Sequence, residues 1–285
     1  MNKKILLLSI LISGISIVGF AQEDPYANQY NEHSVRPIRK DDQMFKKSLW
    51  WRMDLRTKQN TPFFANNNEI SRLLINAVRE GRIEPFTNDS LNTRMSIEDF
   101  NEKLRIPQAA LDAEADFKKF EDENLDWGPG TGGTASKSKK EEKAPISNEY
   151  FPRQLYILEL KEDLIFDSRR SRMFHDLQVI TLMIPAEQTP TGIEKVVCSF
   201  SYFELVHKVF KHNPDAIWFN PQNSSQHRNL TDAFELGLHG KYLVKYENPR
   251  DSYIVDIYGA NKRSLQMSEQ AVYRLMEYEA TLWSY

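Results

Sequence analysis

The chain has 285 residues, 40% of them hydrophobic and 12% aromatic, and a formal net charge of −3. This is enough apolar mass for one or two packed domains, and the acidic balance weighs against nonspecific nucleic-acid binding, which relies on a net positive field. A single cysteine, Cys198, excludes an internal disulfide, so the core or neighbouring molecules must hold the fold together.

Residues 1–21 read as a signal peptide: the basic start MNKK, an apolar run, and small residues Gly19 and Ala21 suited to cleavage before Gln22. The alternative is a retained anchor. No other stretch approaches the roughly 20 apolar residues of a membrane span, so the mature chain is expected to be exported and soluble. Losing Lys3 and Lys4 with the leader takes its charge from −3 to −5. Residues 22–44 are polar, broken by Pro25 and Pro37, and read as an extended N-terminal arm.

A first block spans 45–111. Its opening, SLWWRMDLRTKQNTPFF, sets two tryptophans among three basic residues with no clean helical or strand period. Next, Asn68 is placed to cap a helix whose face carries Ile70, Leu73, Leu74, Ala77 and Val78, with Gly81 closing it. RIEPF (82–86) reads as a short strand. Ser96 and Asp99 are spaced as a capping box for a second helix, which Pro107 stops. Residues 112–149, first acidic and then rich in Gly, Ser, Thr and Lys, read as a disordered linker.

The second block, 150–285, opens with three strand-like runs, QLYILELKEDLIFD, MFHDLQVITLMIP and EKVVCSFSYF. Helix, turn, strand, turn and strand are expected over NLTDAFELGLHGKYLVKYENPRDSYIVDIYG, then a last helix capped at Ser268. Phe63, Asn67, Leu74, Ala77 and Gly81 recur at constant offset as Phe219, Asn223, Leu230, Ala233 and Gly237. Such an echo arises by duplication or by chance between amphipathic helices. The expected class is α+β: two small mixed helix and strand blocks joined by a flexible Gly/Ser/Lys linker.

The sequence marks no catalytic centre, metal or cofactor. GPGTGGT gives Gly128 and Gly133 the glycine spacing of a phosphate-binding loop, but Thr134 stands where that loop needs Lys. Asp112, Glu114, Asp116 and Glu123 have calcium-loop spacing, but Phe117 occupies the position that needs Gly. The six histidines form no H-x-x-x-H pair, and no serine stands in G-x-S-x-G. Cys198 reads as strand core. Asp89-Ser90-Leu91 resembles a bacterial O-glycosylation sequon; an ordinary turn explains it equally. Trp50, Trp51, Arg52, Arg56, Lys58, Phe63 and Phe64 are the residue types enriched at interface hot spots, and are expected to form a protein-docking surface. Ordinary core is the alternative for the tryptophans.

Within that stretch, WWRMDLRTKQNTP resembles the GldN/PorN family pattern W-R-x-x-D-L-R-x-K-x-N-x-P, matched by Trp51, Arg52, Asp54, Leu55, Arg56, Lys58, Asn60 and Pro62, with one position fewer before Asp54. Lys161, Glu162, Asp163, Phe166, Asp167, Arg170, Ser171 and Met173 match a second family segment, and the closing helix with Trp283 matches a third. The resemblance implies a non-enzymatic role without cofactors: a periplasmic ring component of the type IX secretion and gliding-motility machine. Its implied partners are an outer-membrane lipoprotein of the GldK/PorK type, the periplasmic part of a GldM/PorM-type shaft, and further copies of itself. The alternative is a periplasmic hydrolase or ligand-binding protein.

Overall fold

The computed structural model describes residues 29–31, 33–107 and 148–283. The expected leader, residues 22–28 of the arm, and 112–147 of the expected linker, with its phosphate-loop and calcium-loop lookalikes, lie outside the described residues.

The framework is a five-stranded, wholly antiparallel sheet. In chain order its strands are β1 (Gln43–Asp54), β4 (Ile157–Asp167), β5 (Arg172–Ile184), β6 (Lys195–Ser201) and β9 (Tyr242–Tyr246). They lie side by side as β6-β5-β4-β1-β9. The three strands expected of the second block are β4, β5 and β6. The α+β class holds, and the two blocks of sequence meet in this one sheet: β1, from the first, runs between β4 and β9 of the second. A central strand has hydrogen-bonding partners on both edges, which is why a stretch with no clear strand period is nonetheless extended.

One face of the sheet is apolar. Leu49, Trp51 and Met53 of β1 join Leu158, Leu160 and Leu164 of β4 in a continuous core. Helix α1 (Ile70–Arg79) adds Ile70, Leu73, Leu74, Ala77 and Val78 to it, the face expected from their spacing. Full burial of such side chains contributes about 1.5–3 kcal/mol each. Glu69, rather than Asn68, precedes α1, because Asn68 is committed to a two-residue hairpin of β2 (Phe64–Ala65) with β3 (Asn68–Glu69). Helix α2 (Ile97–Leu104) begins as expected, with Ser96 Oγ accepting the Asp99 N–H. RIEPF forms no strand; only Phe86 makes isolated bridges, to Arg94 and Ser199.

Helix α3 (Tyr202–Glu204) continues as a π-helical turn through Phe210. A second small hairpin, β7 (Ile217–Trp218) with β8 (Arg228–Asn229), leads into α4 (Leu230–Glu235). The sequence echo has a structural counterpart here. Gly81 and Gly237 have φ of 69° and 63°. Gly81 and Arg82 donate to Val78 and Ala77, and Gly237 and Leu238 donate to Phe234 and Ala233, so both helices end in the same left-handed glycine cap.

The strand expected over SYIVDIYG is instead helix α5 (Ile254–Tyr258). The last helix, α6 (Lys262–Leu282), starts six residues before Ser268. Ser268 is buried inside it, and its hydroxyl donates to Leu243 O of the outer strand β9 at 2.6 Å. The end of the arm, Gln43 and Met44, belongs to β1, but before it Tyr30 bridges Arg39 and Asn31 N–H donates to Ile38 O, so that 29–31 and 33–39 close into a hook instead of extending.

Candidate functional site

The second face of the sheet is polar and half covered. Side chains alternate along β1, so Ser48, Trp50 and Arg52 point away from the core that Trp51 enters. Register sets Trp50 opposite Lys161 on β4 and Lys245 on β9, and Arg52 opposite Glu159. The Trp50 ring thus lies under two ammonium groups, 5.2 Å and 4.3 Å from its centroid, a favourable arrangement for an electron-rich ring face. Its Nε1–H donates to Asp89 Oδ2 at 2.9 Å, and Lys161 Nζ lies 3.3 Å from the same carboxylate. Burial pushes the Asp89 carboxyl up, but Trp50 and Lys161 outweigh it and hold the group below its usual range.

Next along β1, Arg52 reaches Glu194 at 2.6 Å and Glu159 at 3.6 Å. Burial raises the Glu159 carboxyl against the pull of Arg52. The Tyr253 hydroxyl stands 3.5 Å from it and is pushed up to about 12 by burial and by Glu159.

A second cluster sits at one end of the apolar face. Glu162 lies opposite Leu49, inside the core, with Lys241 as its ion partner and His175 Nδ1 3.5 Å from its carboxylate. Burial opposes its charge, but His175 and Lys241 prevail and bring it to about 2. Nearby His239 is buried against Phe63 and Phe234, and burial lowers it to about 4, so it stands neutral at pH 7. On the polar face Asp176, opposite Asp163, shows the reverse. It accepts from Asn31, Ser34 and Gln178, all neutral, and burial lifts it to about 7.

The residues expected to form a docking surface are thereby distributed. Trp50 and Trp51 are each only 7% exposed and Phe63 is fully buried, so they do not offer a tryptophan face at the surface of this chain. The physical reason is that β1 is central, with partners on both edges, while the core covers Trp51 and Phe63 on one face and Lys161, Lys245 and Asp89 cover Trp50 on the other. Arg52 is half-buried in its ion pairs, and Phe64 is half-exposed. Arg56 and Lys58 are exposed, with Arg56 held by Asp54 and Glu187 and stacked 3.5 Å from the Tyr156 ring centroid. The sequence reading missed Lys161, Lys245, Asp89 and Glu159, which converge only through strand register and the 87–93 turn. The signal present was the alternation of charge in LELKED.

Among the described residues, no group of three or more His, Cys, Asp or Glu is placed to hold a metal ion. Cys198 is buried in β6, and burial pushes its thiol well up, away from the thiolate form. No helix among the described residues is long and apolar enough to cross a membrane. Of the exposed apolar side chains, Val255 and Ile257 lie on α5 and Leu265, Tyr273, Met276, Tyr278 and Trp283 on or just after α6, while others such as Phe151, Ile193 and Leu236 are spread along the chain.

The family model described as gliding motility associated protein GldN matches residues 38–284. The chain belongs to the GldN family. The match takes in the whole sheet, both tryptophans of β1 and all of α6, and begins within the hook. It makes this a gliding-motility-associated protein. A search of curated proteins finds no match.

Proposed function

We propose that the protein is a non-enzymatic structural component of a periplasmic ring in the type IX secretion and gliding-motility machine. In this reading it associates with an outer-membrane lipoprotein of the GldK/PorK type, with the periplasmic part of a GldM/PorM-type shaft, and with further copies of itself. Family membership over 38–284 carries the proposal. The fold adds support, because Leu265, Met276 and Trp283 fall close together around the axis of α6, an exposed apolar stripe of the kind that marks association surfaces. The contact residues are accordingly sought on the surface rather than at the two buried tryptophans.

The test is mass. Co-expressed with its neighbouring lipoprotein and measured by light scattering after size exclusion, the protein should run far above its own 33.4 kDa. Co-expression that yields two separate monomers overturns the ring reading and turns attention to the ligand-binding alternative.

A further inference from the structure

The hairpin that joins β4 to β5 carries the sequence Asp167-Ser168-Arg169-Arg170-Ser171-Arg172. Asp167 Oδ1 accepts the backbone N–H groups of Arg169 and Arg170, which tightens the turn and throws the arginines outward. All three are exposed. Beside the tip opens a cavity of about 880 Å³, walled by the hook at Val35–Ile38, by Met173 to Leu177 of β5, and by Phe234 to Gly237 at the end of α4. Buried Leu177, Tyr202 and Phe234 line it, and Leu236, 57% exposed, stands among its lining residues.

Three of the anions around this cavity are ion-paired: Asp167 with Arg170, Glu162 with Lys241, and Glu235 with Arg36. Asp176, also in the lining, is held by the neutral donors Asn31, Ser34 and Gln178. Asp41 and Asp42 stand on a neighbouring turn, tied to the tip through Ser168 N–H and Asp42 O, and make no ion pair with it among the described residues. Arg169 and Arg172 are left over, two guanidinium groups without an ion-pair partner among the described residues, on a chain whose net charge is negative.

We propose that the hairpin tip and its cavity form a docking site for an acidic segment of a partner protein, one in which a carboxylate side chain stands beside an aromatic or aliphatic one. A guanidinium presents its N–H donors as a planar fork that fits a carboxylate on two sides. The apolar part of the lining, Leu177, Tyr202 and Phe234, takes the neighbouring side chain out of water, and the arginines set orientation and speed encounter by charge complementarity. A lipid surface would use the arginines without needing the cavity.

The experiment titrates the full chain into a dye-labelled acetyl-Glu-Phe-Glu peptide and follows fluorescence anisotropy. Parallel titrations use Gln-Phe-Gln and Glu-Ala-Glu peptides and vesicles containing anionic phosphatidylglycerol. Glu-Phe-Glu should bind at least tenfold more tightly than either control peptide, and more weakly as salt rises. The Arg169→Glu/Arg172→Glu double variant, at exposed positions and checked by thermal melting, should lose at least tenfold in affinity. Arg169→Lys/Arg172→Lys should fall between, because charge survives while the fork does not. No binding, equal binding of a control peptide, an unaffected charge-reversal variant, or binding to vesicles in place of peptide each overturns the proposal. The titration contains no lipoprotein, so its outcome is independent of the ring reading.

Discussion

Trp50 and Trp51 are neighbours in sequence and equal in exposure, yet they inhabit opposite faces of the sheet and different chemistry. Trp51 enters the apolar core, with the single ammonium of Lys241 4.7 Å from its ring centroid. Trp50 faces Lys161, Lys245 and Asp89. The carboxylates repeat the contrast with the sign inverted. Glu162, on the apolar face, is ionised because Lys241 and His175 stand beside it. Asp176, on the polar face, is held by neutral donors, and burial lifts it to about 7. Degree of burial does not fix the state of a group; what covers it does.

The largest effect should come from Trp51→Ala, about 3–5 kcal/mol of stability lost, since the side chain leaves a cavity in close-packed core. Trp50→Ala should cost at least about 1 kcal/mol less, because lysine stems can settle into the space and water can reach the ammonium groups. Urea denaturation of both variants measures the difference, and equal losses would erase the distinction between the faces. Lys241→Met comes next, at about 3 kcal/mol, because it strips the nearer cation from a carboxylate that remains buried. A loss under about 1 kcal/mol would show that His175 alone balances Glu162.

The two carboxylates should also tilt stability in opposite directions with pH. Asp176 rises from 3.8 to about 7 on folding, so the folded state holds the extra proton between those values. Its contribution to stability is present at low pH and is lost as pH climbs from about 4 through 7, with a slope of at most about 1.4 kcal/mol per pH unit. Glu162 is depressed from 4.5 to about 2, so its contribution is present above 4.5 and is lost as pH falls toward 2. Asp176→Asn should flatten the profile between pH 5 and 7 and leave the acid limb in place. An unchanged slope would mean that another group titrates there. The smallest effects belong to Trp50→Phe and Asp89→Asn, each about 1 kcal/mol, because both weaken the Trp50–Asp89 hydrogen bond at a partly exposed carboxylate, the first with part of the ring's attraction to the lysines and the second with the ion pair to Lys161. In a double-mutant cycle the two should be non-additive, and additivity would place the bond outside the folding equilibrium.

Much was legible without coordinates. The apolar spacing of Ile70 to Val78 defines a buried helical face, Gly81 and Gly237 mark left-handed caps that favour a residue without Cβ, and β-branched, aromatic-rich runs give β4, β5 and β6. These are local consequences of backbone geometry and side-chain period, and a single chain segment carries them. The residue pattern from Trp51 to Pro62 also carried the family resemblance, with no coordinates needed. Other features depended on partners far along the chain. That β1 runs between β4 and β9 is a matter of long-range pairing, and it decides which face each tryptophan enters and which charges each one meets. Ser268 has the chemistry of a helix cap, yet its hydroxyl serves Leu243 instead because α6 lies against β9. SYIVDIYG has strand composition and is helical at its centre, where packing between β9 and α6 overrides a weak local preference. Local periods follow from the order of residues; faces, registers and ion partners follow from which distant segments the tertiary fold sets side by side.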